Sequence, residues 1–227
     1  MAVSVDSVYQ KVLAIANKEQ RGYITPQEFN LFAGFAQMDI FEQYFYDMNQ
    51  FGRAPGNDTG YSDMLNLLEE KISLFEDVKQ LTSFINPHYK KPDDLYRIGS
   101  LQTIFGEVEQ VTQKEYLNIE LSRLAKPTIK RSVYTDSLKG FRVYPNIRRK
   151  IYLHYVKKPV PVYWGSVIVG EHALNEPSTT VDFELHASEE NNLIIKILAL
   201  AGIAIKDQSL YQSATAEENK NVQQEKS

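Results

Sequence analysis

The sequence has no cysteine among its 227 residues, and only one tryptophan and four methionines. Without cysteine, disulfide scaffolds, cysteine nucleophiles and thiolate zinc sites are excluded. Long apolar runs are also lacking: the longest, residues 193–204, includes Lys196 and is shorter than the ~20 residues that span a bilayer. The first residues lack the basic start and apolar stretch of a signal peptide. We therefore expect synthesis in the cytoplasm and no membrane contact.

Motifs that carry catalysis are absent as well. No HExxH, nucleophile elbow, phosphate-binding loop or GxGxxG occurs. Asp93 and Asp94 are neighbours in the sequence, which does not indicate the pair of carboxylates facing each other across a substrate that a glycosidase needs. They suit a turn before a strand. The histidines do not stand at metal-ligand spacing: they are His88, His154, His172 and His186. The sequence predicts no enzyme, no cofactor and no metal.

The first 80 residues read as helical. Apolar residues at helical spacing predict helices over about 4–19, 26–51 and 61–78. The second helix has a clear start, with Thr25 as N-cap, Pro26 in the first position and Glu28 placed to close a capping box. Its aromatic residues cover most of its circumference, which is typical of a helix central in its domain or pressed against another subunit.

Residues 81–187 change to a proline-rich, alternating pattern. It predicts strands over about 95–98, 103–110, 141–144 and 150–156, the last two joined by a tight connection through Pro145 and Asn146. Residues 114–124 fit either a strand or a short helix. Gly99 and Gly106 suit turns or bulges.

The remaining residues are helical again. Ser188 is the predicted N-cap of a helix with an apolar face, and 207–227 form a polar segment with too little apolar surface to fold alone. The order of elements predicts an α+β fold, in which a mainly antiparallel β domain is inserted into a bundle of three N-terminal helices and one C-terminal helix. The predicted boundaries are 1–88, 89–187, 188–206 and 207–227.

Positive charge is concentrated in one part of the sequence. The 33 residues of 126–158 hold ten lysines and arginines and one acidic residue, Asp136, within a chain of net charge −4. Tyrosines are interleaved among them. The segment is either a solvated sheet face or a contact with phosphate or with an acidic partner surface.

Several stretches together resemble a virion structural protein of tailed bacteriophages, including crAss-like and marine phages: a neck or head–tail connector protein. More distantly, the layout is similar to the tail tubular protein A class of portal adaptors. The resemblance spans about residues 1–211. Its strings are KEQRGYITPQEFN at 18–30, IFEQYFYD at 40–47, LKGFRVYP at 138–145, YVKKP at 155–159 with Trp164, DFELH at 182–186, SEE at 188–190 and ILALAG at 197–202.

The resemblance implies a ring, commonly of twelve copies, that docks on the portal protein, contacts other neck or tail proteins and extends the channel for packaged DNA in the virion. It carries no catalytic residue. In such a ring we expect a neighbouring subunit to cover Phe35, Tyr46 and Phe51. We expect the channel or an acidic partner to contact Lys130, Arg131, Arg142, Arg148, Arg149 and Lys150. We expect the portal to contact the C-terminal segment through Leu210, Tyr211 and Val222.

Two other functions remain open from the residues. The chain could be a nucleic-acid-binding protein that uses the basic segment 126–158, although it has no sequence-reading motif. It could also be an accessory factor that folds onto a partner through its C-terminal helix. Salt dependence of DNA binding discriminates the first of these from a connector.

Overall fold

The computed structural model describes residues 3–18, 24–51, 59–85, 87–146, 150–170 and 172–204. The described residues form five α-helices, ten β-strands and one 3₁₀ turn, Ala187–Glu189. The helices are α1 (Val5–Lys18), α2 (Pro26–Phe51), α3 (Thr59–Ser73), α4 (Gln113–Leu121) and α5 (Glu190–Ala204). The strands are β1 (Glu76–Gln80), β2 (Phe84–Ile85), β3 (His88–Tyr89), β4 (Leu95–Thr103), β5 (Gly106–Gln110), β6 (Val133–Ser137), β7 (Gly140–Tyr144), β8 (Tyr152–Lys157), β9 (Ser166–Val169) and β10 (His172–Asn175).

The chain divides into two structural units, and the predicted α+β class is confirmed. The helical unit is made of 1–74 and 159–227, and the sheet unit is made of 75–158. In the helical unit, α5 packs against α1 and α2, and α2 packs against α3. Its core is built on aromatic and aliphatic side chains that are almost fully buried: Tyr9, Phe29, Phe41, Trp164, Phe183, Leu185 and Leu193.

Helix α2 begins where the sequence predicts. The Thr25 backbone N–H donates to Glu28 Oε2 (3.0 Å) and the Glu28 N–H donates to Thr25 Oγ1 (3.3 Å), which confirms the capping box. The hydrogen bonds from Thr25 lower the pKa of the Glu28 carboxyl. These bonds satisfy backbone donors that the first turn of a helix leaves without a helical partner.

The sheet unit contains a curled mixed sheet of eight strands in the order β1-β8-β4-β5-β6-β7-β3-β2. All neighbouring pairs are antiparallel except β5 and β6, which are parallel. The residues between these two strands, 111–132, carry α4 and provide the long crossover that parallel strands need. One face holds the core: Leu81, Tyr89, Leu101, Val108, Tyr134, Phe141, Val143, Ile151, Leu153 and Tyr155.

Three local predictions are wrong. Helix α3 ends at Ser73, and Val78 lies in β1, because five residues of β1 pair with β8 and this pairing outweighs the helical spacing. Strands β7 and β8 are not joined by a tight connection, because residues 145–151 separate them. Strand β7 pairs with β6 and β3, and β8 pairs with β1 and β4. Ser188 is not the N-cap of α5, since it lies inside the 3₁₀ turn that His186 caps.

Most of the ambiguous segment 114–124 is helical, because α4 spans Gln113–Leu121. Thr112 caps α4 through a second capping box with Glu115, and hydrogen bonds from Thr112 lower the pKa of the Glu115 carboxyl. Tyr116 and Ile119 pack on Val111, Val133 and Tyr144. Helix α4 therefore covers one face of the sheet, and the main core of the sheet unit lies on the other face.

Candidate functional surfaces

Helix α2 presents a narrow exposed stripe. Its residues are spaced three and four apart, so they lie on one face of the helix. We call it the acidic–apolar stripe: Glu28, Leu31, Phe35, Asp39, Glu42 and Tyr46. Phe35 and Tyr46 are each 59% exposed, and α2 contains no lysine or arginine. The stripe therefore combines large apolar side chains with negative charge.

The rest of α2 is buried. Phe29, Phe41, Tyr44 and Phe45 are at most 4% exposed and join the core of the helical unit. The aromatic residues of this helix thus divide into a buried set and an exposed set. Phe51 ends the helix, and its side chain lies outside the described residues.

The basic segment 126–158 is distributed over several parts of the sheet unit. Lys130 and Arg131 are exposed in the loop before β6, and Lys150 is exposed before β8. Strands β6 and β8 run in the same direction, because β8 is antiparallel to β4, β4 is antiparallel to β5, and β5 is parallel to β6. The two loops that enter these strands therefore lie toward the same end of the sheet. The predicted residues Arg148 and Arg149 lie outside the described residues.

Arg142 has a different setting from the exposed cations. It lies within β7, half-buried, with its guanidinium carbon 5.0 Å from the centroid of the Tyr144 ring. Tyr144 in turn stacks on Tyr116 of α4, with ring centroids 3.6 Å apart. Burial and a hydrogen bond to Glu120 raise the pKa of Tyr116 to about 12. Arg142 is therefore part of the packing between α4 and the sheet.

A second exposed surface continues from the end of α4. We call residues 121–131 the cationic–leucine segment, because exposed apolar and basic side chains alternate along it and it contains no acidic residue. Leu121 is 85% exposed and Leu124 is 98% exposed. Its exposed residues are Leu121, Arg123, Leu124, Lys126, Ile129, Lys130 and Arg131.

Hydrogen bonds fix the backbone of this segment. The Ala125 N–H donates to Ser122 Oγ (3.2 Å), and the Lys126 N–H donates to the Ser122 carbonyl (3.2 Å). Further along, the Thr128 N–H donates to the Arg131 carbonyl and the Arg131 N–H donates to Thr128 Oγ1. The exposed side chains that follow Leu121, the last residue of α4, therefore project from a backbone held in two turns.

Sequence reasoning missed part of this surface. The basic segment identified from the sequence begins at Lys126, so it does not include Arg123, Leu121 or Leu124. Leu121 and Leu124 lie three residues apart, which normally indicates a buried helix face. Only the packing of Tyr116 and Ile119 on the sheet shows that α4 buries a different face.

A third apolar surface is the hairpin β9–β10 of the helical unit. Both faces of this two-stranded sheet carry apolar side chains, with Val167 opposite Leu174 on one face and Ile168 opposite Ala173 on the other. Val167, Ile168 and Leu174 are all exposed. Two-stranded sheets are marginally stable in water unless other elements cover them.

Comparison with models of known protein families finds no match, and comparison with curated proteins finds none either. No helix among the described residues is long and apolar enough to cross a membrane. Within the same residues, no group of three His, Asp or Glu side chains is placed to hold a metal ion. Leu210, Tyr211 and Val222, the predicted portal contacts, lie outside the described part of the chain.

Proposed function

We propose that this chain is a virion structural protein of a tailed bacteriophage, a head–tail connector that forms a ring of about twelve copies on the portal. The sequence strings that resemble such proteins suggest this function. The observation that carries it is the acidic–apolar stripe of α2, because large apolar side chains such as Phe35 and Tyr46 are exposed in the single chain. A neighbouring subunit would cover them in a ring, where each copy presents two different faces.

The proposal includes an arrangement of the fold. Helices α1, α2, α3 and α5 are taken as one bundle into which the sheet is inserted, which agrees with the position of 75–158 between the two sequence parts of the helical unit. The bundle would carry the contacts between subunits. The segment 207–227 would reach the portal through Leu210, Tyr211 and Val222.

The exposed cations of the basic segment 126–158 are suited to bind DNA or an acidic protein surface. Lys130, Arg131 and Lys150 would face either packaged DNA, without sequence preference, or an acidic surface of another neck or tail protein. Lysine and arginine neutralise phosphates by displacing counterions, and this requires no base-reading geometry. No membrane contact is part of the proposal.

Mass photometry of the purified protein, alone and mixed with the portal protein of the same phage, tests the proposal. We expect the portal to recruit a particle of about twelve 26.1-kDa subunits. Truncation after Lys206 should leave a folded protein that no longer joins the portal. A chain that stays monomeric at all concentrations, with and without portal, would contradict the connector function.

The exposed cations favour one alternative, a nucleic-acid-binding protein. Lys126, Lys130 and Arg131 form no ion pair with an acidic residue of the described chain. Binding of a fluorescent DNA duplex at 50 and 200 mM salt distinguishes the two functions. A dedicated DNA-binding protein loses about 10³-fold or more in affinity over this range, starting from tight binding, whereas a connector binds the free duplex weakly throughout.

A further inference from the structure

The acidic–apolar stripe and the cationic–leucine segment have matching chemistry. The stripe has three acidic and three large apolar residues and lies on a helix without any lysine or arginine. The segment has four basic and three large apolar residues and no acidic one. Both are exposed, and they belong to different units of the chain. We infer that the stripe of one copy docks on the cationic–leucine segment of the next copy.

The charges available for this contact are mostly unused within the chain. Asp39 pairs with Lys196 (2.5 Å) and Glu28 caps α2, but Glu42 forms no ion pair with a described residue. None of the segment's four cations has an ion pair with the described chain either: Arg123, Lys126, Lys130 and Arg131. Opposite charges that meet across an interface orient the partners and speed their encounter.

The apolar residues would supply the buried centre of the contact. Leu31, Phe35 and Tyr46 lie on the helix α2. Leu121 is the last residue of α4, and Leu124 lies in the turn that Ser122 fixes by hydrogen bonds. Neither surface has to become ordered on binding, which reduces the entropy lost in association. Exposed apolar patches that are rimmed by polar residues mark protein–protein interaction sites.

The contact joins two different surfaces, so each copy keeps a free stripe and a free segment after one contact forms. Such head-to-tail contacts produce a closed ring or an open filament. The inference therefore rests on the proposed ring for its closure, but it makes its own claim about which residues meet.

Disulfide trapping tests whether Phe35 of one copy lies close to Leu124 of the next. The chain has no native cysteine, so no other thiol competes with the introduced ones. Two single-cysteine proteins, Phe35→Cys and Leu124→Cys, are purified separately with tags of different mass, mixed and oxidised mildly. We expect the mixed disulfide to form at least tenfold more than in a control mixture of Phe35→Cys with Leu138→Cys, which is equally accessible in the turn before β7. Equal yields in the two mixtures would overturn the inference.

Charge reversal tests the electrostatic match independently. In sedimentation velocity at low salt, Arg123→Glu/Lys126→Glu should weaken self-association about tenfold, and adding Glu42→Lys should recover part of that loss. Lys139→Glu, which reverses an exposed cation outside the segment, should change association less than twofold. If Glu42→Lys weakens the doubly reversed protein further, the stripe does not bind the segment.

The outcomes separate the contact from the function. A mixed disulfide together with charge recovery, in a protein that forms only open chains and never joins the portal, would support the contact and contradict the connector. A portal-bound ring that shows neither disulfide trapping nor charge recovery would support the connector and overturn the contact.

Discussion

Asn30 and Trp164 exchange two hydrogen bonds across 134 residues of sequence. The Trp164 backbone N–H donates to Asn30 Oδ1 (2.7 Å), and Asn30 Nδ2 donates to the Trp164 carbonyl (3.2 Å). The Trp164 indole Nε1 donates to Asp6 Oδ1 (2.9 Å), and its ring lies 4.0 Å from the Tyr9 ring, centroid to centroid. The only tryptophan therefore ties the segment before β9 to both α1 and α2.

The first prediction concerns this pair. Asn30→Ala leaves both backbone groups of the buried Trp164 without their side-chain partner, so we expect it to lower the free energy of unfolding by about 2 kcal/mol. Urea denaturation followed by tryptophan fluorescence measures the change. Asn49→Ala is the matched control, because Asn49 is exposed and its side-chain amide donates to the Phe45 carbonyl of its own helix. A loss in Asn49→Ala as large as in Asn30→Ala would contradict this prediction.

The second prediction concerns the ion pair between Lys71 Nζ and Glu189 Oε1 (2.6 Å). Glu189 is 2% exposed, and Asn192 Nδ2 donates to its other oxygen (2.8 Å). Lys71→Met leaves a buried carboxylate without its cation, and we expect a loss of about 3 kcal/mol in the free energy of unfolding. Lys71→Met/Glu189→Gln should recover most of it.

The neighbouring pair of Lys11 and Glu190 is a natural control. Its side chains are more exposed, although hydrogen bonds from Lys11 and Ser7 lower the pKa of Glu190. Lys11→Met should therefore cost less than about 1 kcal/mol in urea denaturation. If both lysine variants lose the same stability, burial does not decide the strength of these pairs.

The third prediction concerns alkaline pH. Tyr155 Oη donates to Asp94 (2.9 Å) and lies 3.3 Å from Asp77. Tyr155 is buried in β8, which lies between β1, the strand that contains Asp77, and β4, the strand that Asp94 precedes. Burial, and then the hydrogen bond and charge of Asp94, raise the pKa of Tyr155. A folded pKa above the ordinary value of about 10 means that the neutral phenol stabilises the fold fully below pH 10 and that this stabilisation is lost as pH rises further.

We therefore expect the free energy of unfolding of the parent protein to fall by about 1.4 kcal/mol more than that of Tyr155→Phe between pH 9 and pH 11. Urea denaturation at the two pH values, followed by circular dichroism, measures this difference. Tyr152→Phe alters an exposed side chain of the same strand and should keep the pH dependence of the parent. Parallel curves for the parent and Tyr155→Phe would argue against the role of the phenol.

The fourth prediction compares two glycines with nearly the same backbone angle, Gly106 at φ +129° and Gly140 at φ +130°. A Cβ at Gly140 would lie 2.2 Å from the Tyr89 carbonyl oxygen, whereas a Cβ at Gly106 meets nothing within 4 Å. Gly106→Ala should cost about 1 kcal/mol for the unfavourable angle. Gly140→Ala should cost at least about 2 kcal/mol more, because β3 must move away from β7.

Thermal unfolding of the two alanine variants, followed by circular dichroism, measures the difference. Since both substitutions carry the same cost in backbone angle, the gap between them reports the close approach of the two strands. Equal melting temperatures would show that β3 yields without a significant loss of stability.

Local signals in the sequence determined where several elements begin and which face of a strand is buried. Thr25, Pro26 and Glu28 marked the start of α2, because capping needs only residues within one helical turn. Alternate residues of a strand share a face, and Ile151, which directly precedes β8, follows this pattern with Leu153 and Tyr155: all three are buried. Gly99 suits a turn or a bulge by its sequence, and the pairing of β4 with β8 shifts register at this position, between Ile98 and Ser100.

Only the tertiary structure decided which strands pair and which apolar residues stay exposed. The pairing of β8 with β1 and β4, and not with β7, depends on residues far apart in sequence, so no local pattern encodes it. Likewise, Phe41 and Phe35 have the same chemistry on one helix, yet Phe41 is buried and Phe35 is exposed. Aromatic residues are distributed around most of the circumference of α2, so its sequence does not indicate which of its faces is buried. The helices that pack against α2 determine the buried face.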